Sequence, residues 1–495
     1  MDADLILDNL VALPAMAGGA PPRMIAIKGN RIVYAGSRDA LADLAALGTR
    51  VVDCGGGLAV PGFNDAHCHP IAHAATLRHV DCSPASVTDI ASLQAALRRS
   101  TAHPWVRAAG CDAAALAEGR LPTRQELDEA VPDRPVVLVA QSGQSCVLNS
   151  MALARCGLAG AGIAEGVLVG NDSRLAAALP PMTADEIEAG LRQVNRLYLE
   201  NGITSLQDTS WSNGHRHWMA ARHFKDHGLL APRISMLVGA DSLDEFAGLG
   251  LRTGMGDDHL RLGAMKIALD ESTGNCHPAQ EEIDEIALRG HLAGFQLSFH
   301  VPDVTMLQRS LNALALIRRL SPTPCIRPRL EHCSICPPHL LPAIAEAGAI
   351  AVLQPNLLAA ATAPGCLSHL DEERLRWIGP IRSMLAAGIP VAFGSDAPLT
   401  PCPPLPAMAV AVTRRVKGRA CLSASESISL EAALDCYGRA GAFCSGREQD
   451  VGVIAPGMLA DLAVLDRDLL ALPPDQIAEA KVVMTVLDGE VVWEG

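Results

Sequence analysis

Two histidines near the start of the chain are spaced so that both could bind one metal ion. They are His67 and His69, in the segment Pro61-Gly62-Phe63-Asn64-Asp65-Ala66-His67-Cys68-His69. Alternate residues of a β-strand point to the same face, so the two imidazoles project together. Paired imidazoles can share a divalent cation. The pattern is short, and taken alone it more often represents two solvent-facing histidines in a loop.

Four further residues with suitable chemistry follow separate apolar runs: Lys266, His300, His332 and Asp396. Each has a simpler interpretation alone. The lysine could reach solvent or pair with Asp270, the histidines could be hydrogen-bonded core residues, and the aspartate could cap a helix. Together, however, suitable groups end five predicted strands, and chance agreement at five strands is improbable. We therefore predict a metal site formed by His67, His69, Lys266, His300 and His332, with Asp396 beside it.

Lys266 also bears on the number of ions, because a lysine inside an apolar strand must find a partner or lose its charge. If it is carbamylated by CO2, it becomes an anionic oxygen ligand that can bridge two cations. We expect one or two divalent cations.

The elements that must position these residues alternate between strand and helix. Eight short apolar runs are each followed by a helical stretch, which predicts a (β/α)8 TIM barrel with its active site at the C-terminal ends of the strands. The predicted strands are Leu58–Phe63, Ile203–Gln207, Ile234–Val238, Leu262–Leu269, Phe295–Phe299, Ile326–Leu330, Ala349–Leu353 and Val391–Phe393.

Both ends of the chain are rich in strand and turn signals instead. We predict that residues 1–60 and 445–495 build one small β-sandwich domain together, and that residues 61–444 form the barrel. The gap between the first two predicted strands is too long for one βα unit. We interpret residues 83–182 as an inserted subdomain after the first strand, placed where it could cover the barrel mouth.

Composition excludes several classes of protein. The 495 residues carry a formal net charge of −14, so neither nucleic acid nor an anionic membrane is the expected partner. A hydrophobic fraction of 49% is enough for a large core. Fifteen scattered cysteines do not resemble a disulfide framework, and the N-terminus has no signal-peptide pattern. We expect a cytoplasmic protein with a small-molecule substrate; association into a homodimer stays open.

This pattern resembles the amidohydrolase superfamily, in which His-x-His, Lys, His, His and Asp end strands one, four, five, six and eight. Within it, the chain looks most like the YtcJ-like branch, which includes enzymes of the N-substituted formamide deformylase type. The similarity also rests on Val147–Leu153, Asn201–Ser205, Arg329–His332, Gln354-Pro355-Asn356 and Gly394–Pro398. It implies a metal-dependent hydrolase, usually with zinc, acting on a non-peptide amide or a related C–N bond.

The mechanism follows from the predicted site. A divalent cation lowers the pKa of the water it binds and polarises a carbonyl, while Asp396 takes a proton and returns it to the leaving nitrogen. We predict that Gln144, Asn149 and Trp211 contact the substrate. Deamination, ester or lactone hydrolysis, and lyase or isomerase chemistry such as decarboxylation remain alternatives on the same barrel. A non-catalytic binding protein is the third class, and the complete ligand set argues against it.

Overall fold

The computed structural model describes most of the chain: residues 2–13, 19–101, 104–141, 145–159, 163–169, 173–269, 278–361, 372–416, 419–420 and 423–495. It divides into two compact units, the first built from residues 1–69 and 195–495 and the second from residues 70–194. No helix among the described residues is long and apolar enough to cross a membrane.

The first unit contains an eight-stranded parallel sheet, whose strands we number β1–β8. They are β1 (Phe63–Cys68), β2 (Ile203–Asp208), β3 (Arg233–Gly239), β4 (Leu260–Ile267), β5 (Leu297–Val301), β6 (Arg329–His332), β7 (Ile350–Leu353) and β8 (Val391–Phe393). The edge strands are joined by hydrogen bonds from Asp396 N to His67 O (2.6 Å) and from His69 N to Ala397 O (2.9 Å). The predicted TIM barrel is therefore confirmed.

Helices follow the strands as the alternating pattern predicts. After β2 to β6 come His215–Asp226, Leu243–Gly248, Gln280–Leu292, Val304–Leu320 and Leu341–Glu346. After β7 come Pro355–Ala361, Glu372–Arg376 and Ile381–Ala386, and after β8 come Pro404–Thr413, Leu430–Tyr437 and Arg439–Cys444. A two-stranded ribbon pairs Arg415–Val416 with Arg419–Ala420. The strands are buried on both faces, as expected for a parallel sheet covered by helices.

Two smaller sheets in the first unit combine the two ends of the chain. One has the strand order Arg31–Gly36, Met24–Lys28, Leu5–Asp8 and Arg50–Asp53. The other has the order Val11–Ala12, Leu58–Pro61, Leu462–Leu465, Val482–Leu487 and Glu490–Glu494. Their apolar faces share one core, in which Leu7 and Ile25 of the first sheet pack with Val464 and Val486 of the second.

The predicted first barrel strand is wrong in position. Leu58–Pro61 belongs to the sheet of the chain ends, where it pairs with Leu462–Leu465, and the barrel strand begins only at Phe63. Gly62 separates the two strands and is packed against Thr204, where a Cβ would lie 2.1 Å from the hydroxyl oxygen. One continuous apolar run therefore contains residues of two strands that belong to different sheets. Hydrophobicity alone does not show where the chain passes from one sheet to the other.

The second unit has a five-stranded sheet of its own. The strand order is Val167–Val169, Ser145–Leu148, Val136–Ala140, Val106–Cys111 and Val80–Asp81. Its helices are Pro70–Thr76, Ile90–Arg98, Arg124–Ala130, Ser150–Arg155 and Ser173–Ala178, and the helix Ala184–Glu200 leads on to β2. The sequence predicted strands at Trp105–Ala108 and Val136–Ala140, and both positions carry a strand.

Candidate metal centre

Three of the predicted site residues meet at the C-terminal ends of β1, β6 and β8. One ligand atom each from His67, His332 and Asp396 lies within 4.8 Å of the others, close enough to share a metal ion. The imidazole of His67 approaches Asp396 Oδ1 at 3.5 Å through Nε2, and His69 approaches the same oxygen at 3.1 Å. Nitrogen and carboxylate oxygen together are a donor set that suits a divalent cation of the zinc type.

The backbone turns sharply at two of these three residues. His332 has φ 73° and Asp396 has φ 58°, both in the left-handed region that residues other than glycine rarely adopt. Such conformations cost about 1–3 kcal/mol each and cluster at functional sites. At the end of β6 the turn lets His332 depart from the strict alternation of strand side chains. At β8 it brings Asp396 next to the imidazoles of β1.

Three polar side chains behind the imidazoles fix their orientation. Glu331 Oε2 lies 2.7 Å from His67 Nδ1, Gln354 Oε1 lies 2.9 Å from His332 Nδ1, and Ser210 Oγ lies 3.0 Å from His69 Nδ1. An imidazole that donates from Nδ1 keeps a lone pair on Nε2, which is the form that ligates a metal. The arrangement therefore directs the Nε2 lone pairs of His67 and His332 toward the same region, while Nε2 of His69 donates to Asp396 Oδ1 at 3.1 Å.

Glu331 also belongs to a fully buried network inside the barrel. Its Oε1 accepts hydrogen bonds from Ser298 Oγ and Arg329 Nε, both at 2.7 Å. The Arg329 guanidinium in turn donates to Gln207 Oε1 (2.5 Å) and to Ala66 O (2.7 Å). Glu331 and Arg329 are both completely buried. A carboxylate with this many donors remains charged although it is inaccessible to water.

Sequence reasoning did not identify Glu331, Arg329, Gln354 or Ser210 as parts of the site. The available signal was the Arg-x-Glu spacing of Arg329 and Glu331, which puts both side chains on one face of β6. Ser210 and Gln354 have no such signal, because their partners lie on other strands.

Asp65 fixes the segment that carries the proposed base. Its Oδ1 accepts from Ser395 N (2.9 Å) and His67 N (3.2 Å), and its Oδ2 accepts from Ser395 Oγ (2.6 Å). Burial raises the pKa of Asp65 to about 6, while these hydrogen bonds favour its charged form. One side chain thus joins β1 to the residue that precedes Asp396.

Burial also sets the charge of the candidate ligands. It lowers the pKa of His67 and His332, and it lowers that of His300 to about 3, with the charge of Lys266 adding to the effect on His300. These imidazoles are therefore neutral at pH 7, which is the form that binds metal. Burial opposes ionisation of Asp396, but the hydrogen bond from His69 favours it, and the pKa of Asp396 lies below its ordinary value.

Lys266 and His300 lie on β4 and β5, beside this cluster. Lys266 is buried, and burial lowers its pKa to about 8 against the opposing charge of Glu331. In register, Lys266 pairs with Ser298, the residue that donates to Glu331. The imidazole of His300 stands 4.6 Å from that of His332, measured between ring centroids. His300 does not belong to the group of three whose ligand atoms meet.

The three predicted substrate contacts have different outcomes. Gln144 lies outside the described residues. Asn149 is fully buried, and its side-chain amide makes four hydrogen bonds to the backbone. Its Oδ1 accepts from Val136 N and Ala152 N, and its Nδ2 donates to Val131 O and Arg134 O. It caps the helix Ser150–Arg155, so the predicted substrate contact is replaced by a structural role. Trp211 follows β2 and is 61% exposed.

Comparisons with known proteins agree with this fold. The sequence profile of the amidohydrolase family matches residues 50–493. The chain is 28% identical to an N-substituted formamide deformylase of Arthrobacter pascens over 99% of this chain and 98% of that protein. It is 24% identical to the putative amidohydrolase YtcJ of Bacillus subtilis over 90% and 91%. A structure described as an uncharacterized metal-dependent hydrolase from Pyrococcus furiosus superposes with a TM-score of 0.77 at 23% identity, covering 94% and 99%.

A TIM barrel with histidines and an aspartate at the ends of its strands defines a class of hydrolases. The family match covers most of the chain, so this protein belongs to the amidohydrolase family, and the resemblance seen in its motifs is confirmed. It is a hydrolase that acts on carbon–nitrogen bonds other than peptide bonds.

Proposed function

We propose that this protein hydrolyses an amide bond of a small molecule, in an N-formyl, N-acyl or cyclic amide, with a divalent cation held by His67, His69 and His332. The convergence of His67, His332 and Asp396 supports this proposal most directly. Similarity to N-substituted formamide deformylase along nearly the whole chain supports the choice of bond. Zinc is the cation we propose, because the donors are neutral imidazoles and one carboxylate.

The cation would supply two things when bound: a lowered pKa for water and polarisation of the substrate carbonyl. The residues of this chain do the rest. Glu331 and Gln354 hold the imidazoles of His67 and His332 in the ligating tautomer, and Ser210 contacts Nδ1 of His69. Asp396, which is kept ionised, accepts a proton from the attacking water and returns it to the leaving nitrogen.

His300 and Lys266 are the groups available to a second cation. Lys266 is buried and His300 is partly buried, on strands that neighbour the cluster. Carbamylation of Lys266 would provide an anionic bridge. We propose one cation held by His67, His69 and His332, with binding of a second depending on Lys266.

The test is a screen of the purified, metal-loaded protein against N-formyl, N-acyl and cyclic amides, with amine release as the readout. Asp396→Asn should retain its metal and lose about 10²–10⁴-fold in kcat, since it keeps the shape of the side chain and removes the base. Asp468→Asn, at an exposed helix cap far along the chain, is the matched control and should retain wild-type kcat.

Three results would contradict the proposal. Near-normal turnover by Asp396→Asn would exclude it as the base. Release of ammonia, an alcohol or CO2 in place of an amine and a carboxylate would indicate a deaminase, an esterase or a lyase. Unchanged metal content after replacing both His67 and His69 with alanine would refute the site.

A further inference from the structure

A cysteine, a histidine and a serine meet at the opposite end of the barrel from the metal centre. Cys325 lies in the loop before β6, and its Sγ is 3.7 Å from Nδ1 of His291, on the helix Gln280–Leu292. The other ring nitrogen, Nε2, is 2.8 Å from Oγ of Ser321. A thiol that contacts an imidazole, with a third group orienting that imidazole, is the arrangement that activates cysteine nucleophiles.

The contacts of Ser321 indicate which nitrogen of His291 accepts a proton. Its Oγ donates to Thr323 O and accepts from Thr323 N, both at 3.2 Å. With its hydrogen directed to that carbonyl, the hydroxyl offers only lone pairs to the imidazole, so Nε2 carries the hydrogen. The lone pair of Nδ1 then faces Cys325, as a base for the thiol requires.

The thiol is reachable from outside through a cavity of about 590 Å³. Cys325 and Ser321 both line it, together with the helix Val304–Leu320 and the stretch 343–348. Arg318 and Arg327 also line it, and each is paired with a carboxylate, of Glu346 and Glu448 respectively. The volume is within the range of small-molecule pockets.

A second cysteine provides an internal comparison. Among the described cysteines, Cys325 and Cys54 are the two that are not buried. Burial and the carboxylates of Asp53 and Asp8 raise the pKa of Cys54 to about 12. Burial also raises the pKa of Cys325, so little free thiolate exists at pH 7 and its reactivity depends on transfer of the proton to His291.

We propose that Cys325 is a modification site that forms a mixed disulfide with a low-molecular-weight disulfide. The proton of Cys325 passes to Nδ1 of His291, and Sγ attacks one sulfur of the R–S–S–R molecule. A new S–S bond forms as the original one breaks, and the departing thiolate takes up a proton to give R–SH. The cysteine is thereby oxidised and one half of the reagent is reduced. This site is independent of the proposed hydrolysis.

The test uses oxidised glutathione as the probe on the intact, metal-loaded protein at pH 7. Peptide mass spectrometry over a time course gives the modification rate of each cysteine. Cys325 should be glutathionylated at least about tenfold faster than Cys54. In His291→Gln, whose amide can still reach Ser321 but lacks the Nδ1 base, the Cys325 rate should fall about tenfold or more.

Two outcomes would overturn the proposal. One is a Cys54 rate equal to or greater than that of Cys325 in the wild type. The other is a wild-type Cys325 rate in a folded His291→Gln variant. If that variant does not fold, the ratio of the Cys325 rate to the Cys54 rate in the wild type is sufficient to test the proposal, because this measurement needs no substitution.

Discussion

Glu331 is the residue on which the metal centre and the barrel interior both depend. One oxygen orients His67, and the other accepts from Ser298 and from Arg329. Because the carboxylate is fully buried, its charge depends on these partners and on the neighbouring Lys266. Loss of that charge would leave the Arg329 guanidinium unpaired in the core and the imidazole without its acceptor.

For Glu331→Gln we expect metal affinity to fall about 10–100-fold, because the group that orients His67 loses its charge. The free energy of unfolding should fall by about 3–5 kcal/mol, as in other broken buried pairs. Chelator competition and denaturant titration measure the two effects. Glu346→Gln, which removes an exposed partner of Arg318, is the control and should change neither. Wild-type metal affinity in Glu331→Gln would contradict this role.

At this scale the sequence predicted the three residues that meet at the candidate site but not those that hydrogen-bond to them. His67, His332 and Asp396 each end an apolar run, and this position alone predicted their convergence. Glu331, Ser210 and Gln354 act through partners on other strands, and such pairings are set by barrel register. For Asn149 the sequence predicted a substrate contact, whereas in the structure its side chain caps the helix Ser150–Arg155.

Among the elements, the junction of β8 with β1 leaves no room for a side chain at Gly394. A Cβ on Gly394 would lie 2.5 Å from His67 N and 2.6 Å from His67 Cβ. Any side chain at this position must therefore push β1 away from β8. β1, which carries His67 and leads into His69, can lie this close to β8 because residue 394 has no side chain.

Gly394→Ala should weaken metal binding and cost about 1–3 kcal/mol of stability, because overpacking displaces the backbone of β1. Metal content after dialysis and the denaturation midpoint report these changes. Gly248→Ala, at the end of the helix Leu243–Gly248 where no atom lies within 4 Å of the added carbon, is the matched control. Equal metal content in the two variants would show that the junction tolerates the methyl group.

In the second unit, the helix Ser150–Arg155 depends on Asn149 for its start. Asn149→Ala removes the cap and leaves two backbone N–H groups and two carbonyls without partners, so we expect a loss of about 2–4 kcal/mol. Asn149→Asp keeps both accepting bonds and should lose less. Limited proteolysis of residues 70–194 and metal analysis provide the readout. A changed KM with unchanged stability would instead restore the predicted substrate contact.

The order of the elements was predictable because strand and helix periods alternate along residues 203–393, and seven of the eight predicted runs overlap the barrel strand found there. The first run failed at Gly62, where two strands of different sheets follow each other with a single residue between them. Sequence patterns report burial and period, but not which sheet buries a strand.

For the whole molecule, the metal should act as a ligand that stabilises the folded state. The candidate ligands come from β1, β6 and β8, which are far apart in sequence, so an unfolded chain does not present them together. A cation at 100 times its Kd contributes about 2.7 kcal/mol. Chelation should therefore lower the Tm of the first unfolding transition, and added zinc should restore it.

Differential scanning calorimetry with and without a chelator measures this shift. The control is the protein with both His67 and His69 replaced by alanine, whose Tm should not respond to the chelator. A chelator effect of equal size in that variant would place the stabilising ion elsewhere.

The direct passage from Leu58–Pro61 through Gly62 into β1 also constrains the order of events during synthesis. Leu58–Pro61 pairs with Leu462–Leu465, a strand that is synthesised only after the whole barrel. Until then, the segment carrying His67 and His69 lacks the sheet that anchors its beginning, although β8, which supports its end, has already been made. The chain must therefore be translated past Leu465 before these two histidines are fixed, and capture of the cation is expected only after that point.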